Sequence, residues 1–139
     1  MIVKGITIHN TGNSLTANQN AKILNGTGKS YLCHFIIDED KIVNMTPLDR
    51  ESYHTGKGYD MGNMNTIAIE ISRSTAKKTL YMKAQKNAIA FIRKLMEEYG
   101  LTKDDIYFHN DFNRQAYCPH RILEIYGDKK TFLKELDNV

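Results

Sequence analysis

The hexapeptide Thr66-Ile67-Ala68-Ile69-Glu70-Ile71 constrains the fold more than any other stretch of the chain. Its nearly continuous apolar run predicts a strand in the middle of a sheet, covered on both faces. A carboxylate is costly to bury in such a place, so Glu70 must face a cleft, solvent or a charged partner. Soon after it, the apolar residues Met82, Ala88, Ile89, Ile92, Leu95, Met96 and Tyr99 recur at helical spacing. They predict a helix over Leu80–Tyr99, with Gly100 as its stop.

The rest of the chain continues this interleaving. Ile2 to Ile8 alternates as a strand that ends at His9. Asn10-Thr11-Gly12-Asn13 is turn chemistry, and Ser14 or Thr16 can cap a helix running to about Asn25, stopped by Gly26 and Gly28. Tyr31–Ile37 and Lys41–Asn44 read as a hairpin turned by Asp38-Glu39-Asp40. Pro47 to Asn65 is rich in Gly, Asn and Asp and reads as loop, with at most a short strand near Tyr53. About 19 residues without regular structure usually mark a functional loop. Asp105–Phe108 is a further strand ending at His109, Pro119 opens a short helix to Ile125, and a last helix covers Lys129–Leu136. Strands alternating with helices give an α/β class, and the length suits one domain over residues 1–139.

Composition excludes several classes. Apolar residues at 41% and charged residues at 25% are ordinary for a globular chain. No apolar run approaches the roughly 20 residues of a membrane span, and no basic segment followed by a long apolar run marks a secretory signal. Lys and Arg exceed Asp and Glu by 19 to 16, a net +3, too diffuse to imply a nucleic-acid partner. The two cysteines, Cys33 and Cys118, are too few for a disulfide framework; as free thiols they leave Cys118 available as a ligand or nucleophile.

Five histidines occur, and two share one local situation: His9 and His109 each end a predicted strand and precede an asparagine. Ligand sites in open α/β sheets gather at strand ends. Cys118 follows His109 by nine residues, close enough for a loop to bring its thiolate back. Two imidazoles and a thiolate are donors that zinc prefers, and three protein ligands leave the fourth position open, as in catalytic sites. Each residue alone also has an ordinary reading: a strand-end histidine is commonly hydrogen-bonded structure, and a lone cysteine is commonly small core packing. Glu70 would add a general base beside such a metal, or else be a plain polar position on a half-exposed strand.

The ordered set Ile8-His9-Asn10-Thr11, His34-Phe35-Ile36-Ile37, Tyr53-His54-Thr55-Gly56, Asn65 to Ile71, Phe108-His109-Asn110-Asp111 and Tyr117-Cys118-Pro119-His120-Arg121 resembles the zinc-dependent N-acetylmuramoyl-L-alanine amidases of the type-2 class. These share their fold with peptidoglycan recognition proteins. The resemblance runs from residue 2 to about residue 125 and is strongest to endolysin catalytic domains from phages of Gram-positive hosts. It implies a central mixed sheet flanked by helices, and zinc held by His9, His109 and Cys118. Glu70 then falls at the family's catalytic glutamate, and the implied reaction is hydrolysis of the amide between N-acetylmuramic acid and L-alanine of peptidoglycan. Two departures stand out. A tyrosine of some relatives is replaced by Cys33, and a lysine or threonine of others by Ala116; whether His120 or Tyr31 compensates stays open.

The loop Pro47–Asn65 borders the substrate groove in this family, so His54 and Lys57 are the expected substrate contacts. His34 and Cys33 are expected to be structural, and Asp111 to orient a ligand imidazole. The expected partner is peptidoglycan, acted on by a monomer made in the cytoplasm and released to the wall. A C-terminal wall-binding domain of a longer protein is also expected from the resemblance. The competing reading is a peptidoglycan-binding module of the same fold without catalysis; such relatives tend to lose the ligand cysteine. A zinc nucleobase deaminase is excluded, because its His-x-Glu and Pro-Cys-x-x-Cys patterns are missing.

Overall fold

The computed structural model describes residues 1–27, 32–56 and 58–137. Five strands form one mixed sheet: β1 (Gly5–Asn10), β2 (Phe35–Ile37), β3 (Ile42–Asn44), β4 (Thr66–Ile71) and β5 (Ile106–Phe108), in the order β3-β2-β4-β1-β5. Only the β2–β3 hairpin is antiparallel; β4 pairs in parallel with both β1 and β2, and β1 with β5. The hexapeptide is therefore the middle strand, as its composition predicts. Tyr31, in the first part of the predicted second strand, lies outside the described residues, and regular pairing begins only at Phe35.

Every strand obeys period-two alternation, and this gives the sheet two unlike faces. On the first, Ile6, Ile8, Phe35, Ile37, Ile67, Ile69, Ile71, Ile106 and Phe108 form a single core with α3 (Lys78–Tyr99), α5 (His120–Tyr126) and α6 (Lys129–Leu133). Helix α3 buries Tyr81, Ala84, Ala88, Ile92 and Leu95 against it and ends on Gly100 at φ +66°. Fully burying one such isoleucine is worth about 1.5–3 kcal/mol, so this face carries most of the stability. On the second face stand Thr7, His9, Ile36, Thr66, Ala68 and Glu70. A smaller apolar cluster of Ala17, Ala21, Cys33, Ile36 and Ala68 seats α1 (Ala17–Gly26) there.

Polar groups hold the connections. Thr16 caps α1 through a reciprocal box with Gln19. Asp38 serves two elements: Oδ2 accepts from the Ala17 amide at 2.7 Å, while Oδ1 accepts from Asp40 and Lys41 and so forms the hairpin turn. The predicted loop is shorter than expected, because Met61–Asn65 forms a helical turn, α2. Asp60 caps it by accepting from the Asn63 amide at 2.8 Å. A second short helix, α4 (His109–Phe112), also arises where an irregular stretch is expected. Both are single turns held by one carboxylate, too short for hydrophobic periodicity to reveal. No strand forms near Tyr53, and among the described residues no helix is long and apolar enough to cross a membrane.

Candidate active site

The second face gathers the titratable groups at the C-terminal ends of β1, β4 and β5. His9 and Glu70 are register partners across the β1–β4 ladder, and alternation turns both toward this face. His109 is the first residue after β5. Cys118 is brought in by Asn10, the last residue of β1. The Asn10 side-chain oxygen accepts from the Arg121 and Ile122 amides at 2.9 and 3.3 Å, capping α5 just beyond the cis Cys118–Pro119 peptide. Its amide nitrogen donates to the buried Tyr81 hydroxyl at 3.2 Å. The Cys118 carbonyl accepts from the Asn110 amide at 3.2 Å, tying the same loop to α4.

His9, His109 and Cys118 each offer one ligand atom, and these atoms lie within 4.8 Å of one another. The Cys118 Sγ stands 3.7 Å from His9 Nδ1. Nitrogen and sulfur ligands about 2.0 and 2.3 Å from one tetrahedral ion would stand about 3.5 Å apart. The donor set therefore fits zinc in spacing and in softness. A second observation agrees: His109 Nε2 is buried without a hydrogen-bond partner among the described residues, although its ring is otherwise held by the Thr55 backbone carbonyl. A buried imidazole nitrogen left bare is costly unless a ligand completes it.

Electrostatics favour the same reading. Burial, with His54 and His109 beside it, keeps His9 neutral by lowering its pKa far below the ordinary value. Burial pushes the Cys118 thiol up to about 12, with Glu70 adding to the effect; a bound dication would reverse this by favouring the thiolate. Glu70 itself is pushed up by burial to about 8, and its Oε2 is sealed with no partner among the described residues. None of those residues places a compensating cation beside it, so the carboxylate is poised to hold a proton near neutral pH. Glu70 also borders a cavity of ≈ 190 Å³ between α1 and the strand ends, walled by Asn10, Asn20 and Leu24 among others. A larger hollow of ≈ 420 Å³ between β3 and α3 holds none of these groups.

The remaining expected site residues fall elsewhere. His54 is only 8% exposed and stands behind His9: its Nδ1 is 2.8 Å from His9 Nε2, and its Nε2 donates to the Gly62 carbonyl at 2.9 Å. With both ring nitrogens engaged, the imidazole offers no hydrogen bond to a substrate in this arrangement. Lys57 lies outside the described residues. Asp111 does not touch an imidazole; its Oδ2 accepts from the Phe108 amide at 2.7 Å and from Lys129 at 2.8 Å, which caps α4 instead. His34 is structural as expected: Nδ1 accepts from the Ala68 amide at 2.9 Å and Nε2 donates to the Arg50 carbonyl at 2.7 Å, extending the β2–β4 ladder by a side chain. Cys33 is fully buried packing. Asn10, Thr55 and Gly62 are the positioning groups that sequence reasoning missed. The last two act through backbone carbonyls, which residue identity does not reveal.

A second cluster imitates a hydrolytic triad. His120 Nε2 is 2.8 Å from Ser74 Oγ, and His120 Nδ1 is 3.7 Å from Glu124. Ser74 is fully buried, and its hydroxyl already accepts from the Gly12 amide at 2.9 Å. No substrate can reach it, so the trio locks the β1–α1 turn to α5.

With this geometry in view, comparison with known proteins is informative. A profile of the N-acetylmuramoyl-L-alanine amidase family (Amidase_2) matches residues 1–121. The chain belongs to that family. It is 37% identical over 119 residues to the N-acetylmuramoyl-L-alanine amidase CwlA of Bacillus subtilis, covering 85% of this chain and 43% of that protein. The structure of PlyL superposes with a TM-score of 0.89 at 29% identity, over 98% of this chain and 84% of that one. A mutant endolysin from Bacillus subtilis gives 0.79 at 29% identity, over 92% and 83%. The chain spans less than half the length of the curated relatives it matches, 39% of one and 48% of another.

Proposed function

We propose that residues 1–139 form the catalytic unit of an N-acetylmuramoyl-L-alanine amidase that cuts the amide between N-acetylmuramic acid and L-alanine in peptidoglycan, with zinc as its metal. The observation that carries this reading is the convergence of His9, His109 and Cys118 beside a buried Glu70 whose Oε2 has no partner among the described residues. Side chains of His9, His109 and Cys118 would hold the ion, which when bound supplies Lewis-acid activation of the amide carbonyl and of water. Glu70, buried at the cavity wall, accepts the proton of the attacking water and passes it to the departing amine of L-alanine. Burial raises its pKa to about 8 without the metal, and the nearby dication would bring it back toward the ionised state that a base requires. With the full donor set and Glu70 all present, hydrolysis is favoured over a recognition module.

The test is digestion of purified Gram-positive walls with zinc-loaded protein, with and without chelator. New amino groups carrying L-alanine as N-terminus, without new reducing ends and abolished by chelator, are the expected result. Walls retained on the protein with no amine release would instead support the recognition module.

A further inference from the structure

The imidazole of His54 is buried against His9 Nε2, while Cys118 faces the other ring nitrogen of His9, Nδ1. The ring hydrogen bonds of His54 determine its protonation; beside the Gly62 carbonyl, Nε2 also meets, at 3.4 Å, the Thr66 hydroxyl oxygen, whose own proton goes to Gly62. A carbonyl oxygen can only accept, so the 2.9 Å bond to Gly62 requires a proton on His54 Nε2. The ring is only 8% exposed, and no carboxylate among the described residues bonds it. A second proton would be a buried charge without a counterion, so the ring stays neutral, which leaves Nδ1 bare. A bare Nδ1 at 2.8 Å from His9 Nε2 can only accept, so His9 must carry its proton on Nε2. The bare nitrogen of His9 is then Nδ1, the one that stands 3.7 Å from Cys118 Sγ.

We infer that His54 is a positioning residue that fixes the tautomer of His9, so that the Nδ1 lone pair is presented to the metal before the metal arrives. The relay runs from the Gly62 carbonyl through His54 to His9. Metal-bound histidines ordinarily donate their second N–H to a carboxylate, carbonyl or water; here a second imidazole takes that place and transmits the order set by a backbone carbonyl. The relay is itself braced. The His54 amide donates to Asn63 Oδ1 at 2.7 Å, and the Thr66 hydroxyl donates to the same Gly62 carbonyl at 2.6 Å. A side chain at Gly62 would stand 2.9 Å from Phe112 Cδ2 and collide with Thr55, so only glycine lets this carbonyl come so close. The two imidazole ligands thus reach one arrangement by different routes: His109 is oriented by the Thr55 carbonyl directly, His9 by Gly62 at one remove.

This inference rests on the zinc-amidase reading, and two measurements separate their failures. Histidine ring 15N chemical shifts and couplings in the metal-free wild-type protein report the tautomers without any metal. Nε2–H on both His9 and His54 is expected; an Nδ1–H tautomer at His9 would overturn the relay. Zinc affinity is then compared by competition with a chromophoric chelator. His54→Phe keeps the ring's shape but has no acceptor and should weaken binding about 10- to 100-fold, while His54→Gln, which restores an acceptor, should recover part of it. Binding by His54→Phe within twofold of wild type would also overturn the relay. If that variant does not fold, the wild-type tautomers decide alone. A wild-type protein that takes up no zinc would instead defeat the zinc reading, with the tautomer result still standing.

Discussion

The two faces of the sheet are built from the same five strands and differ in almost every physical respect. Odd and even positions of β1 part Ile6 and Ile8 from Thr7 and His9; those of β4 part Ile67, Ile69 and Ile71 from Thr66, Ala68 and Glu70. The first face is an apolar layer sealed by α3, α5 and α6. Among the described residues three buried side-chain atoms lack a partner: Gln85 Oε1 on α3, and Glu70 Oε2 and His109 Nε2 on the second face. An unsatisfied buried polar atom costs about 1–3 kcal/mol, so the second face is maintained at the expense of the first. Period-two alternation lets one six-residue strand supply both, a division of labour that a helix of the same length could not achieve so cleanly.

Paired substitutions one residue apart on β4 test this division. Glu70→Gln should lower turnover 10²- to 10⁴-fold while leaving zinc uptake and the melting temperature of the loaded protein close to wild type. Assays of amine release and calorimetry on one preparation check both halves. Ile69→Ala should do the reverse. Losing a fully buried side chain typically costs about 2–5 kcal/mol, visible in urea denaturation, with turnover per folded molecule unchanged. A Glu70→Gln protein as unstable as Ile69→Ala would show that the faces are not separable.

How far sequence reaches also divides by face. The apolar side is almost entirely recoverable from residue pattern, because burial and alternation are properties of residue type: the β4 limits, the α3 register and the Gly100 stop all follow from it. The candidate metal donors His9, His109 and Cys118 and the carboxylate Glu70 stand out because such residues at strand ends are rarely neutral choices. Their supports do not. Asn10 acts by capping a helix 110 or so positions away in sequence, and Gly62 and Thr55 act through carbonyls that every residue owns. His54 sits in a loop segment whose path is set by Asn63 and Asp60 hydrogen bonds, so its contact with His9 is not legible from residue pattern.

Metal removal sharpens the comparison from the other side. Zinc at 100 times its dissociation constant adds about 2.7 kcal/mol to the native state, which corresponds to roughly 10 °C in melting temperature for a domain of this size. Chelator should therefore lower the melting temperature by about that much and abolish amine release, yet the metal-free protein should keep its circular dichroism, since the apolar face is independent of the site. Unfolding at room temperature on chelation would mean that the ion holds the fold together.

The smallest expected effect lies in the pH dependence of the metal-free protein. Burial raises Glu70 from an ordinary 4.5 to about 8, so between those values the folded form holds a proton that the unfolded chain has released. Stability must then fall as pH rises through this window. The buried histidines act in the opposite sense: burial takes His54 from 6.5 down to about 3 and also lowers His9, so the unfolded chain binds more protons and stability rises with pH, but only up to about 6.5. The thiols of Cys33 and Cys118, raised from 9.0 by burial, begin to matter only when the unfolded thiols ionise. Between pH 6.5 and 8 Glu70 therefore acts nearly alone, and the loss is at most about 2 kcal/mol, one proton over one and a half pH units. Calorimetry in chelator should show wild type losing stability across that interval and Glu70→Gln staying flat. Equal slopes in the two proteins would mean that Glu70 is already ionised without the metal, and that the second face pays for its carboxylate in some way other than protonation.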